Sequence, residues 1–359
     1  MSDRNLPATA ASARFPQDHG VRIDDPGEFI ASVPAVLGFI PHRSLVVALL
    51  KMGSDRCMAV ISAVIRCDLQ DPEVMADAIA TAAAANSADA VLIVVIDDQR
   101  PPLYPHDAVL IAVHDRLAEA GIEVKGAWTA GRIVAGQRWQ SLRPPQRAGT
   151  LPDPATTVIA VDRVYQGRTV APDRRTLEDL LTPLPDLAAE LNRHLPDAET
   201  LRRSDPDARS RAWIRSVLHT VAATDAGADP DARALAEIVV SWRDTPARDA
   251  SLGLAGTVHA EAAERVAIML TRALTGRDRA RAAAVLAFLA YHRGEGVVAG
   301  MAIEAALTAD PHNSLAALLS TALDCALPPD RMHSLAEHAR EALAAEGIAT
   351  PPVIVPDRL

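Results

Sequence analysis

Two rhythms of apolar residues divide the chain. At 29–37 apolar side chains recur at helical spacing, and at 44–50 they run without a break. Phe29, Val33, Val36 and Leu37 make one helical face, with Asp25 as N-cap, Pro26 in the first turn, Glu28 three residues after the cap and Gly38 as the stop. Pro34 is expected to start a second short turn, because proline inside a helix removes a hydrogen bond. "SLVVALL" has the length of a strand and no polar face, the pattern of a strand covered on both sides. "KMGSD" then turns the chain, and "CMAVISAVIRCDL" is the second strand of a hairpin. Asp71 and Pro72 open a helix to about residue 85, "DAVLIVVID" is a central strand, and a helix spans 106–120 up to Gly121. "IEVKGAWTA" and "RIVAGQRWQSL" read as two further strands, and two short helices over 155–181 close the domain. Strand pairs mixed with helices predict an α/β domain with a mixed sheet over 21–182.

After "TPLPD" the strand rhythm disappears. Residues 186–345 read as an all-α domain of about eight or nine helices, with starts marked at Asp205-Pro206, Asp229-Pro230, Thr245-Pro246 and Asp310-Pro311. One stretch, "RAAAVLAFLAYHRGEGVVAGMAIEAALTADPHN", fits the tetratricopeptide helix–turn–helix pattern over 280–313. Leu286, Ala287, Ala290, Ala299, Ile303, Ala306 and Pro311 fall on the expected positions, the alanines allowing close approach and Leu286 and Ile303 filling the seam. The upstream helices do not repeat this period, so the expectation is a tetratricopeptide-like domain with one such hairpin in an irregular array. Residues 1–20 lack the apolar core of a signal peptide and are expected to be a disordered lead-in, and 346–359 a C-terminal tail.

Composition narrows the function. A net charge of −10 argues against general nucleic-acid or anionic-membrane binding, which need a basic surface. Lysine occurs only at Lys51 and Lys125, so the abundance of arginine is a compositional habit rather than a binding signal. Cys57, Cys67 and Cys325 are widely spaced and form no CxxC, which points away from a disulfide framework or thiolate metal site and toward a reduced cytoplasmic compartment. No apolar run reaches the roughly 18 residues of a transmembrane helix.

Several segments together resemble an actinobacterial family, the domain of unknown function (DUF) 4192. They are "VPAVLGF" at 33–39, "SLVVALL" at 44–50, "IRCDL" at 65–69, "AVLIVVIDD" at 90–98 and "GQRWQSL" at 136–142. "ARDASL" at 247–252 and "LAFLAYHRGEGVVAGMAIEAALTADP" at 286–311 complete the set, the last being the most specific. The likeness runs from about residue 24 to 345 and implies an architecture without a mechanism. Family members often carry cysteines after the "RW" strand; here "SLRPPQRAG" has none, so the resemblance brings no metal site.

The candidate chemistry lies mainly at strand ends. Asp97 and Asp98 follow the central strand, where open α/β sheets bind ligands, and paired carboxylates there can hold a metal or act as base. The plain alternative is a polar strand end entering a proline loop. Arg66 and Asp68, around Cys67, join the same rim if the strands run parallel, and otherwise form a surface ion pair worth about 1 kcal/mol at most. "GRIVAGQR" has phosphate-loop glycine spacing but lacks the lysine and hydroxyl residue, so it reads as a hairpin turn. Arg138 and Trp139, and the Arg/Trp segment with Arg209 and Trp213, are candidate partner contacts, or else a sheet-edge cover and a solvated helix face. No G-x-S-x-G or HExxH occurs, and no catalytic set or cofactor is identified. The leading expectation is therefore a non-enzymatic interaction or scaffold protein that binds an unidentified protein partner through its helical domain. The alternative is a small-ligand- or metal-binding, hydrolytic α/β domain around Asp97 and Asp98.

Overall fold

The computed structural model describes residues 9–11, 25–53, 59–99, 105–203, 209–327 and 330–354, without the side chains of 9–11, 201–203, 209–210 and 330. The chain forms two compact units. The first contains Met1–Leu177, Gly294–Val297 and Thr321–Pro328; the second contains Glu178–Arg293, Val298–Ser320 and Pro329–Leu359. The fold is mixed α/β and mostly helical.

In the first unit, the strands are β1 (Thr9–Ala11), β2 (Ser44–Met52), β3 (Ala59–Asp68), β4 (Ala90–Ile96), β5 (Glu123–Ala130), β6 (Arg138–Ser141) and β7 (Ala148–Thr150). They form one sheet in the order β1-β3-β2-β4-β5-β6-β7. β2 is antiparallel to both β3 and β4, β4 and β5 are parallel, and the remaining neighbours are antiparallel. Residues Ser44 to Leu50 of β2 are all buried, as a strand covered on both faces requires. β1 lies within the stretch expected to be a disordered lead-in and pairs with β3. The "RIVAGQRWQSL" segment is strand only over β6, and Gly136, at φ 75°, turns the chain before it. The sequence gives β7 no apolar rhythm at all; its backbone pairs with β6 beside the Trp139 ring.

The helices of this unit are α1 (Pro26–Leu37), α2 (Pro72–Ala85), α3 (His106–Glu119), α4 (Val158–Tyr165) and the short α5 (Arg174–Glu178). α1 runs unbroken through Pro34, contrary to the expected restart there. Asp25 accepts a hydrogen bond from Glu28 N–H at 3.1 Å and Gly38 ends the helix in the left-handed region at φ 82°. Asp71 likewise caps α2 through Glu73 and Val74 N–H. Phe29 of α1 meets Trp128 of β5 edge-on at 6.0 Å, while α2 and α3 pack on each other. Strand alternation shows that Trp128 and the His106 contacts of α3 lie on opposite faces, so the unit has three layers.

One buried ion pair ties this unit together. Arg163 of α4 donates to the Glu295 carboxylate at 2.9 Å and to the Ala35 carbonyl at 3.2 Å. Arg168 adds a second, longer contact to Glu295 at 3.6 Å. A Cβ at position 38 would stand 2.7 Å from the Arg163 guanidinium, so the glycine makes room for the arginine as well as stopping the helix.

The second unit is helical: α6 (Pro185–Arg203), α7 (Arg209–Asp225), α8 (Ala232–Ser241), α9 (Thr245–Leu252), α10 (Ala260–Ala273), α11 (Gly276–His292), α12 (Gly296–Ala309), α13 (Ser314–Asp324) and α14 (Asp330–Ala345), the first turn of α12 and the end of α13 belonging to the first unit. Thr245 opens α9 as expected. α8 instead starts after Asp231, whose carboxylate accepts from Ala234 N–H, and α13 starts after Asn313, which caps Ala316 N–H. In both cases a side-chain acceptor stands closer to the helix than the proline does. Asp205-Pro206 lies outside the described residues. Arg243 holds the Asp278 carboxylate with two bonds, at 3.0 and 2.7 Å, and reaches Glu199 at 2.5 Å.

The Arg163–Glu295 pair gives the clearest energetic expectation. Arg163→Ala leaves a buried carboxylate with only the long Arg168 contact and should cost about 3–5 kcal/mol. Urea denaturation measures it, and a change below about 1 kcal/mol, the worth of a surface pair, would contradict the buried role.

Candidate functional site

The site grows from strand register. Ser44 at the start of β2 pairs with Asp68 at the end of β3 and with Ile96 at the end of β4, and Ile96 pairs with Ala130 at the end of β5. The carboxyl ends of β3, β4 and β5 therefore share one end of the sheet with the start of β2. The register irregularities, at Leu49/Leu50 and Val91/Leu92, fall toward the opposite end. All four strand-end candidates, Arg66, Asp68, Asp97 and Asp98, sit at this rim or directly after it.

They do not form one cluster. Ser44, Val46, Arg66 and Asp68 share the face of Ile96, whereas Asp97, one residue on, belongs to the face of Val95 and Thr129. On the first face Arg66 is buried. Its Nε donates to Ser44 Oγ at 2.9 Å, an Nη donates to the exposed Asp68 carboxylate, and the guanidinium carbon lies 5.7 Å from the centre of the Phe39 ring. Ser44 Oγ in turn donates to the His42 carbonyl at 2.7 Å. Each contact satisfies a charge at a strand end, which makes Arg66 a structural residue.

The second face holds a polar chain. Asp97 is 1% exposed. Its Oδ1 accepts from Gln99 N–H at 3.0 Å, and its Oδ2 lies 3.4 Å from Nε2 of His106, the first residue of α3. The other ring nitrogen, Nδ1, lies 3.4 Å from Thr129 Oγ1. Asp98 points the other way and faces the Arg132 guanidinium at 3.8 Å near the surface. His106 and Thr129 were not among the sequence candidates. His106 stands nine residues beyond Asp97 and Thr129 belongs to another strand, so no local motif joins them. The usable signal is topological: a strand, a helix whose first residue is histidine, and a parallel strand with a hydroxyl one residue before its end.

Cys67 points to the same face as Asp97 and is buried; burial pushes its thiol up to about 12, far from a reactive thiolate. Among the described residues no three His, Cys, Asp or Glu side chains gather at a metal-like site. Cys57 lies outside the described residues.

The candidate partner contacts fare differently. Trp139 is 4% exposed, its indole close to two glycines. A Cβ would stand 2.8 Å from Nε1 at Gly27 and 2.9 Å at Gly149. The ring is thus a core wedge, which corrects its reading as a contact surface; Arg138 beside it is exposed. Trp213 packs, half-buried, against Ile214, Ala247, Ala250, Leu343 and Ile348. The Arg209 side chain lies outside the described residues. Leu286, Ala287 and Ala290 on α11, and Ala299, Ile303 and Ala306 on α12, are all buried, and Pro311 is exposed in the turn before α13.

A family model described as "Domain of unknown function (DUF4192)" matches residues 26–330. The chain belongs to the DUF4192 family. No curated protein and no solved structure matches it. The family span covers the sheet from β2 onward, the Asp97–His106–Thr129 chain and the helices through α13. No helix among the described residues is long and apolar enough to cross a membrane.

Proposed function

We propose that the α/β unit binds and chemically processes a small organic ligand at the carboxyl ends of β4 and β5, with His106 as its acid–base group. The observation that carries this reading is the chain from the buried Asp97 carboxylate through the His106 ring to Thr129 Oγ1. An imidazole oriented by a buried carboxylate is the usual way to present a proton acceptor near neutral pH. The carboxyl ends of adjacent parallel strands are also where α/β sheets hold ligands. This reading keeps Asp97 and Asp98 from the strand-end alternative and exchanges Arg66 and Asp68, on the other face, for His106 and Thr129. Arg132 and Asp98 supply one charge of each sign at the rim, suited to a polar ligand.

A second reading, protein interaction, rests on α4. Val158, Val161, Val164 and Tyr165 are 54, 57, 69 and 82% exposed, while Ala160 and Arg163 face inward. At 100° per residue the four exposed positions fall in one arc of about 120°. Exposed apolar side chains gathered on one helix face mark a contact surface. An amphipathic helix from a partner protein matches two turns of valine and tyrosine at this spacing. The tetratricopeptide-like hairpin expected over 280–313 would support an interaction role less directly. α11 is buried continuously from Ala282 to Tyr291, the pattern of a core helix rather than of one lining an open concave face.

For the first reading, thermal melts against nucleotides, sugar phosphates, acyl esters, carboxylates and divalent metals are the test. A ligand at about 100 times its dissociation constant adds about 2.7 kcal/mol of stability. The expected outcome is a raised melting temperature with one ligand class, lost in Asp97→Asn and His106→Ala; no rise, or one that both variants retain, removes the reading. For the second, Val161→Asp with Tyr165→Asp should leave the melting temperature within about 1 °C, because both side chains are exposed. The pair should release a bound partner that protects α4 from hydrogen exchange in the parent, and partner binding unchanged by the double variant removes α4 as the surface.

A further inference from the structure

We infer that Thr129 is a nucleophile, activated by His106 and Asp97, and that the ligand of this site is a carboxylic ester or thioester that the protein hydrolyses. The inference rests on the ligand reading above and deepens it from binding to covalent chemistry.

Hydrogen-bond direction leads to the hydroxyl. An ionised carboxylate only accepts, so the contact to Asp97 Oδ2 assigns the ring hydrogen to Nε2. Nδ1 is then a lone-pair acceptor, and its neighbour is the Thr129 hydroxyl. Oriented carboxylate, imidazole and hydroxyl are the three roles of a nucleophilic relay, whichever ring nitrogen fills each place. Both contacts are 3.4 Å, the loose spacing such sets show before substrate tightens them. Burial differs among the three groups. Asp97, which only orients, is 1% exposed, Thr129 is 8% exposed, and the His106 side chain, which must exchange protons, is 16% exposed.

Stabilisation of an oxyanion has a local source. His106 opens α3, a helix of 14 residues, and the preceding Pro105 supplies no side-chain cap. The Pro105 carbonyl takes the N–H groups of Ala108 and Val109, and those of His106 and Asp107 bond to no backbone carbonyl of the described residues. Backbone donors at a helix N-terminus favour developing negative charge, which an ester carbonyl acquires on attack.

The step balances as follows. Thr129 Oγ1 bonds to the acyl carbon as its proton passes to His106 Nδ1, and the bond from acyl carbon to leaving oxygen or sulfur breaks as that atom takes the proton. Water then attacks the acyl-threonine, giving a proton to Nδ1. The Thr129–acyl bond breaks, the proton returns to Oγ1, and a free carboxylic acid leaves. No oxidant, reductant or metal enters.

The test treats the full-length protein with an alkyl fluorophosphonate, in which the hydroxyl displaces fluoride from phosphorus, and follows the modified peptide by mass spectrometry. Modification is expected at Thr129, retained in Thr129→Ser, and slowed about 100-fold or more in His106→Ala, as loss of a general base requires. An unmodified Thr129 in the wild-type protein overturns the inference, as does an equal rate in a folded His106→Ala. Should that variant fail to fold, the wild-type and Thr129→Ser results decide alone. Thermal melts of the same samples with acyl esters separate the two levels. A stabilising ligand without Thr129 modification leaves the binding reading and removes the nucleophile; absence of both removes the site.

Discussion

The placement of β2 between β3 and β4, antiparallel to both, is the constraint on which the candidate site depends. Two strands antiparallel to a common neighbour are parallel to each other, so β3, β4 and, through its parallel pairing, β5 all end at the same rim. The seven consecutive buried residues from Ser44 to Leu50 hold that arrangement, since neither face of β2 can be turned to water. Because side chains alternate, a slip of one residue in β4 would carry Asp97 to the α1 face and away from His106. Register alone thus separates the Arg66 cluster from the Asp97 chain, though Arg66 and Asp97 stand at the same end of one sheet.

Burying polar groups at that rim has an energetic logic. Unpaired, a buried guanidinium or carboxylate costs several kcal/mol. Arg66 is compensated by a hydroxyl, a carboxylate and an aromatic face, and Asp97 by a backbone N–H and an imidazole. The two solutions differ in what they leave available. The Arg66 contacts end on a carboxylate, a ring face and, through Ser44 Oγ, the His42 carbonyl, so the cluster closes on groups that only accept. The Asp97 chain passes through a ring that can gain and lose a proton and ends on a hydroxyl. That asymmetry is why chemistry is assigned to one face and structure to the other.

Much of the architecture was legible in the residues. The apolar runs gave β2 and β4, the Asp-Pro and Asp-x-x-Glu patterns gave the starts of α1 and α2, and alanine-rich helical spacing marked α11 and α12 as buried helices. The errors have physical causes. Pro34 was read as a break because it lacks an N–H, yet α1 continues past it to the Gly38 cap. β7 is three residues with no apolar rhythm, placed by backbone pairing with β6 and by the Trp139 ring against Gly149, neither of which leaves a pattern in its own side chains. Trp139 read either as a partner contact or as a sheet-edge cover, and its wedging into the core was hidden because the two glycines that admit its ring lie over a hundred residues apart in the chain. Half of the candidate site was visible as Asp97 and Asp98. The other half of the proposed relay, His106 and Thr129, was not, because only the β4–α3–β5 crossover brings those residues to Asp97.

The most direct measurement is the tautomer of His106, read from imidazole nitrogen chemical shifts in the full-length protein at about pH 8.5, where an ordinary imidazole is neutral. The account predicts hydrogen on Nε2, facing Asp97, with Nδ1 unprotonated and accepting from Thr129, and a loss of that preference in Asp97→Asn. Hydrogen on Nδ1, or a ring exchanging freely between tautomers in the wild-type protein, would contradict it, because the Thr129 hydroxyl would then have no acceptor to activate it.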